Sequence, residues 1–305
     1  LLRFGSYTLF FETGNNVLNW AGILFVGFFL GASQVAVFNI AWVASTASLF
    51  LFISTIQIFK PVVTEFFGAG RGDRAAHLAS YMLESFFLVF LPVFALIILF
   101  PDEFLTLFVN ESYSGGAQPL RILAVGSFFS GVALLLIEII TAYGSPHFNA
   151  RNIGLSAAVN ILLNILLIPG YGLVGAAAAS AASSVCLFRL SYHRVRGIVR
   201  MVYSKRRVAR LILAAAAASS AAYSTASVYG SSLPYLTASC CILFVTYLLT
   251  VLASRSLRQE DVDILTALML KAGVPEYIRR PMLEVVGYGV SSACLLYTSP
   301  SPRDS

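Results

Sequence analysis

Three glutamates interrupt otherwise apolar runs: Glu12 in YTLFFETGNN, Glu84 in SYMLESFFLVF and Glu138 in ALLLIEIITA. An ionised carboxylate inside an apolar helix is costly, so such a position marks one of two things. It is a proton-exchanging group facing water, or an acid that reaches an interfacial partner, here Arg3 or Arg151. Glu12 is the sharpest candidate. Gly14, Asn15, Asn16 and Asn19 follow it, where a helix can open and free backbone groups to face a cavity. Asn39 and Gln57 extend that polar face onto the next apolar stretch. A second constellation is Asn152, Asn160 and Asn164. Spacings of four and eight put them on one helix face. There, amides act as interhelical hydrogen-bonding groups or as a substrate surface.

Other chemistry finds no support. His77, His147 and His193 are far apart, and HExxH, CxxC, GxSxG and P-loop patterns are missing. Cys186, Cys240, Cys241 and Cys294 show no metal or redox spacing, and adjacent Cys240 and Cys241 read as core residues. No catalytic residue, metal or cofactor is expected. A coupling ion, H+ or Na+, stays open.

The elements that position these residues follow from composition. Hydrophobic residues make up 58% and charged residues 11% of the 305 residues. A soluble domain carries about 25% charged residues, so the solvent for this chain is lipid. Eight apolar spans are expected, at about 6–30, 35–59, 79–100, 120–143, 148–168, 173–192, 211–229 and 234–253. The fold class is an all-α polytopic membrane protein. Of the 20 Lys and Arg residues, 18 fall in alternate loops and in the 254–280 segment. That asymmetry places those loops and the C-terminal segment in the cytoplasm of a multi-pass cell-membrane protein. The loop at 101–119 is acidic and external, which puts all three glutamates in the cytoplasmic third of their spans. The basic residues sit between apolar runs, a membrane pattern that argues against a nucleic-acid partner.

Smaller signals complete the reading. Gly27 and Gly31 form a GxxxG helix-packing motif, and GAAAASAASS and AAAAASSAA offer close-packing faces. Ser256 and Gln259 stand at capping-box spacing. Leu257, Val262, Leu265, Leu268 and Met269 then stripe a short amphipathic helix in a 254–293 cytoplasmic tail. The chain starts without Met. Residues 294–305 match read-through from a sequencing adapter, so the natural protein is expected to be cut at both ends.

Four segments carry a family resemblance. LLRFGSYTLF with LNWAGILFVGFFLG resembles the first helix of the second half of polysaccharide flippases, members of the multidrug/oligosaccharidyl-lipid/polysaccharide exporter superfamily. KPVVTEFFGAGRGDRAAHLASY is similar to their cytoplasmic loop, and FPDEFLTLFVNESYSGGAQPLRILAVG to their external loop. ITAYGSPHFNARNIGLSAAVNILLNILLIPGYGLVGAAAAS is the most specific match, and the resemblance covers about residues 1–250. The segment from Ser256 resembles tails of archaeal members. Two positions depart from the pattern: Ser145 stands where Arg or Lys is common, and Glu138 where a small or amide residue is.

The resemblance implies a MATE-like transporter of twelve to fourteen helices, in two lobes around a cavity. It flips lipid-linked oligosaccharides or polysaccharide repeat units by alternating access. This chain is then the second lobe with two extra helices and a tail, and the first lobe is missing. Implied partners are membrane lipid, the lipid-linked oligosaccharide, the missing lobe, and glycosyltransferases and polymerase of the pathway. The first alternative is a cation-coupled multidrug exporter of the same superfamily, with an acidic cavity built from Glu12, Glu84 and Glu138. The second is a membrane enzyme or scaffold of polysaccharide assembly. Only Arg121, Arg151 and Arg189 approach the bilayer within these spans, so cations for a lipid diphosphate are expected from the missing lobe.

Overall fold

The computed structural model describes residues 2–109, 111–229 and 233–271, with single positions at 276, 279, 280, 283 and 286. Its elements are α1 (Leu2–Leu30), α2 (Ala32–Ala47), α3 (Phe50–Gly68), α4 (Gly72–Leu99), α5 (Pro101–Phe108), a 3-10 turn (Glu111–Gly116), α6 (Ala117–Ala142), α7 (Pro146–Ile198), α8 (Lys205–Tyr229), α9 (Leu233–Ala253) and α10 (Gln259–Lys271). The expected adapter segment at 294–305 and most of the tail beyond residue 271 lie outside the described residues. The chain divides into two compact units, Leu1–Tyr203 and Ser204–Ser305.

In the first unit α6 is the central element, packing against α2, α3, α4 and α7, while α1 packs along α7. Its apolar core joins Leu120, Leu136, Ile139 and Ile140 of α6 to Phe86 of α4, Phe38 of α2 and Ile168 of α7, none more than 2% exposed. Phe52, Phe86, Phe90 and Phe128 add an aromatic cluster with ring centroids about 5 Å apart.

α7 holds two of the expected spans. It is broken at Gly172, which has φ 56° and ψ −134°. Asn160 and Ser183 are 23 residues apart, about 34 Å along a straight helix, yet the Asn160 amide donates to the Ser183 hydroxyl at 3.1 Å. The helix therefore doubles back at the PGYG turn into limbs 146–171 and 173–198. Only glycine takes that backbone conformation without strain. At the other end, Gly144 at φ 82° closes α6 with bonds from Gly144 N to Thr141 O and from Ser145 N to Ile140 O. This is the Schellman pattern, and Pro146 then opens α7 at its first turn.

The structure departs from several expectations. Among the described residues, four helices are long and apolar enough to cross a membrane (72–99, 113–142, 146–198 and 205–227), or five if the bent pair 32–47 and 52–68 is one span. That count differs from eight because α7 is one element, because asparagines dilute α1, and because the described apolar part of α9 is short. α1 runs unbroken from Leu2 to Leu30, so the helix does not open at Gly14. Gly14 instead permits close packing, since a Cβ there would sit 2.9 Å from Ile153 Cγ2 of α7. Gly27 and Gly31 are not a packing pair. Gly31 has φ 86° and nothing within 4 Å of a built Cβ, so it serves the turn between α1 and α2, while Gly27 meets only Val35. The close approaches occur at Gly126 and Gly131 of α6 and Gly175 of α7.

In the second unit α8 and α9 pair through small residues. Ala218 and Ala222 are fully buried on α8, as is Leu243 on α9. Thr225 and Ser239 share a hydroxyl contact at 3.1 Å. Arg207, near the start of α8, donates from Nε to the Ser256 carbonyl at 2.6 Å and pairs with Asp261 of α10. Instead of a Ser256–Gln259 capping box, a single capping bond forms two residues later. Asp261 accepts the backbone N–H of Arg258 at 2.8 Å, while the Ser256 hydroxyl contacts that of Ser254. Asp261 takes the capping role because the same carboxylate also holds Arg207. Leu257, Val262 and Met269 are buried at 8% exposure each, while the side chains of Leu265 and Leu268 lie outside the described set.

Candidate substrate cavity

A cavity of about 290 Å³ lies inside the first unit, walled by α1, α2, α3, α6 and the second limb of α7. Asn15 and Asn19 enter it from α1, four residues apart on one face, which the unbroken helix keeps in register. Trp42 and Thr46 enter from α2, Ser127 and Ser130 from α6, and Ser180, Ser183 and Ser184 from α7. Among the described residues no carboxylate, lysine, arginine or histidine lines it, and its polarity is that of hydroxyls, amides and the Trp42 indole.

The back wall is hydrogen-bonded. Ser130 donates to Ser184 at 2.9 Å, Ser127 to Ser45 at 3.2 Å and Asn160 to Ser183 at 3.1 Å. Asn164 donates to the carbonyl and side-chain oxygens of Asn160, both at 2.9 Å. The Asn149 amide holds Ile137 O and Thr141 Oγ1, tying the start of α7 to α6. Asn160 and Asn164 are fully buried and Asn152 is 1% exposed. The three asparagines share one inward face of α7, and Asn160 touches the cavity wall through Ser183.

The other expected residues scatter. Glu12 is exposed on α1. Asn16 sits on a separate open groove with Thr13, Trp20, Leu24, Phe28 and Ile161. Asn39 is half-buried on α2 and Gln57 exposed on α3; neither lines the cavity. Glu84 is fully buried, twelve residues into α4. Glu138 pairs with Lys60 of α3 at 2.8 Å, rather than with Arg151, while the side chain of Arg3 lies outside the described set. Arg151 instead lies over the Phe148 ring. The three glutamates therefore build no common acidic site. His77, His147 and His193 are exposed and separate, and no group of three metal-ligating side chains occurs among the described residues.

Sequence reasoning missed Trp42, Thr46 and the serines. Their signal was present: Ser180, Ser183 and Ser184 recur at helical spacing, as do Ser127 and Ser130. Inside an alanine-rich run, serine reads equally as a small packing residue, and only the facing helix decides.

Comparison with known proteins agrees with this architecture. The family model described as MatE matches residues 11–166. A probable low-salt glycan biosynthesis flippase, Agl15 of Haloferax volcanii, is 23% identical over 67% of this chain and 43% of its own length. An uncharacterized membrane protein of Methanocaldococcus jannaschii is 26% identical over 58% of this chain and 35% of its own length. The chain thus spans less than half the length of these curated relatives. A solved MOP superfamily transporter from Pyrococcus furiosus, whose binding pocket is described as of reverse polarity, superposes with a TM-score of 0.53 at 16% identity. That match covers 96% of this chain and 74% of the transporter, and it shows a shared fold.

Proposed function

Because the chain belongs to the MatE family, we propose that it is the second lobe of a flippase that moves lipid-linked oligosaccharide across the cell membrane by alternating access. One observation carries this choice within the family: among the described residues the internal cavity is walled by neutral hydroxyls, amides and an indole, with no ionisable group. An exporter of cationic drugs that couples to a cation through this lobe needs carboxylates facing this cavity. Here Glu12 is exposed, Glu84 is buried away from the cavity and Glu138 is matched to Lys60. The name of the Haloferax relative supports the same reading.

In this reading the basic loops and the C-terminal segment face the cytoplasm. The first lobe supplies the cations that hold the lipid diphosphate, since the cavity of this lobe offers none. Membrane lipid is the medium, and the glycosyltransferases and polymerase of the pathway supply and consume the glycan.

The test is translocation of a fluorescent lipid-linked oligosaccharide in proteoliposomes holding the complete two-lobed protein. We expect glycan translocation, and no ethidium efflux under a proton or sodium gradient. Ethidium efflux without glycan translocation would establish the exporter instead.

A further inference from the structure

We propose that the cavity between α1, α2, α6 and the second limb of α7 binds one uncharged sugar ring of the glycan, a site that deepens and rests on the flippase reading. The argument starts from which polar groups are already spent. Ser130 donates to Ser184, the Ser184 and Ser183 hydroxyls both donate to Ser180 O, and Ser183 also accepts from Asn160. Thr46 is bonded to Trp42 O. By contrast, the side-chain amides of Asn15 and Asn19 and the hydroxyl of Ser180 make no hydrogen bond to protein among the described residues. Two amides offer four N–H donors and two carbonyl acceptors, and a hydroxyl adds one donor with acceptor capacity. The unspent set thus both gives and accepts hydrogen bonds, and it is neutral.

That mixture selects the ligand. A phosphate or carboxylate would be desolvated with no cation to meet it, and an ammonium with no anion. A pyranose presents alternating hydroxyls that also donate and accept, so its chemistry complements the wall. The volume, about 290 Å³, is many times the roughly 10–15 Å³ that holds one water, so there is room for a sugar ring with its substituents. Trp42 supplies the aromatic wall, and its indole stands 6.5 Å from that of Trp20. The apolar C–H face of a sugar packs on such a ring, while its edge reaches the amides.

This chain carries its own probe, since its two tryptophans are Trp20 and Trp42, and any tryptophans of the first lobe are replaced by Phe. With Trp20→Phe in lipid nanodiscs, Trp42 emission is titrated with methyl glucoside, methyl N-acetylglucosaminide, glucuronate and NaCl. We expect a saturable change with a neutral pyranoside and none with glucuronate or NaCl. Asn15→Leu and Asn19→Leu should each weaken it about tenfold, the scale of one buried hydrogen-bonding group. Asn16→Leu, on the separate groove, should leave it unchanged. Ser180→Ala, a smaller change that any fold should tolerate, should weaken it severalfold. No response to either neutral pyranoside, an equal response to NaCl alone, or indifference to Asn15, Asn19 and Ser180 would overturn the site. Lipid-linked glycan translocation that survives Asn15→Leu with Asn19→Leu would also remove the sugar site and leave the flippase reading standing. Saturable pyranoside binding without any glycan translocation would do the reverse.

Discussion

The two compact units handle polar groups withdrawn from water in opposite ways. In the first, neutral amides and hydroxyls bond across helices around a cavity, and some of their capacity stays open. In the second, a guanidinium and a carboxylate, side chains 7% and 10% exposed, close on each other and on backbone groups. A buried ion pair satisfies itself and leaves no vacancy for a ligand. A neutral network can be left partly open, because an unspent hydroxyl costs far less than an unpaired charge. Binding chemistry and structural fastening are thus separated by the kind of polar group used.

The largest expected effect breaks the fastening. Arg207→Met strands Asp261 and leaves the Ser256 carbonyl without its donor. Loss of one partner from a buried pair costs about 3–5 kcal/mol. We expect α10 to detach, read as fast amide exchange over residues 259–271. Asp261→Leu combined with Arg207→Met should recover part of that loss, because no charge is then stranded, although the Ser256 carbonyl and the Arg258 N–H still lack their partners. If the double variant is no better than Arg207→Met, the pair does not act as a unit.

The next effect sharpens the other side of the comparison. Gly126 lines the cavity, and a Cβ there would fall 2.8 Å from Ala181 Cα and 3.1 Å from Ala181 Cβ. Backbone cannot yield as a side-chain tip does, so Gly126→Ala should part α6 from the second limb of α7. Overpacking of this kind costs about 1–3 kcal/mol. It should lower the thermal midpoint in detergent and weaken the Ser130–Ser184 bond with it. Gly31→Ala is the control for crowding, since no atom lies within 4 Å of its built Cβ and only its positive φ is disturbed.

Much of the scaffold could be read from the chain. The YGSP and PGYG turns announce themselves through glycine and proline, and the first opens α7 while the second folds it into two limbs. The inward face of Asn152, Asn160 and Asn164 follows from spacing alone. The cavity was half legible. Asn15 and Asn19 stood out because amides are unusual in an apolar run, but their partners are serines that sequence cannot tell from packing residues. The glutamates misled for a related reason. A carboxylate advertises itself in sequence, yet whether it faces a cavity, a lysine or a sealed interior depends on helices far away in the chain. Lys60 and Glu138 lie 78 positions apart, and nothing local links them. Gly31 shows the same limit, since GxxxG spacing cannot distinguish a packing glycine from one that turns the backbone.

The smallest expected effect concerns that Lys60–Glu138 pair. It joins α3 to α6 at 2.8 Å, with the lysine side chain 39% and the glutamate 22% exposed. It therefore sits between the buried Arg207–Asp261 pair and a surface contact. Both side chains keep some exposure, although the paired Glu138 Oε2 is itself covered, so each charge can recover much of its hydration when the other is removed. Coulomb attraction at that exposure is largely offset by ordering two long side chains, and pairs of this kind contribute about 0–1 kcal/mol. Lys60→Met should move the unfolding midpoint only slightly, and the remaining shift should shrink further in high salt. A loss as large as that of Arg207→Met would mean that Glu138 is sealed once its lysine is gone. The first unit would then also rely on a buried charge pair, and the contrast between the two units would disappear.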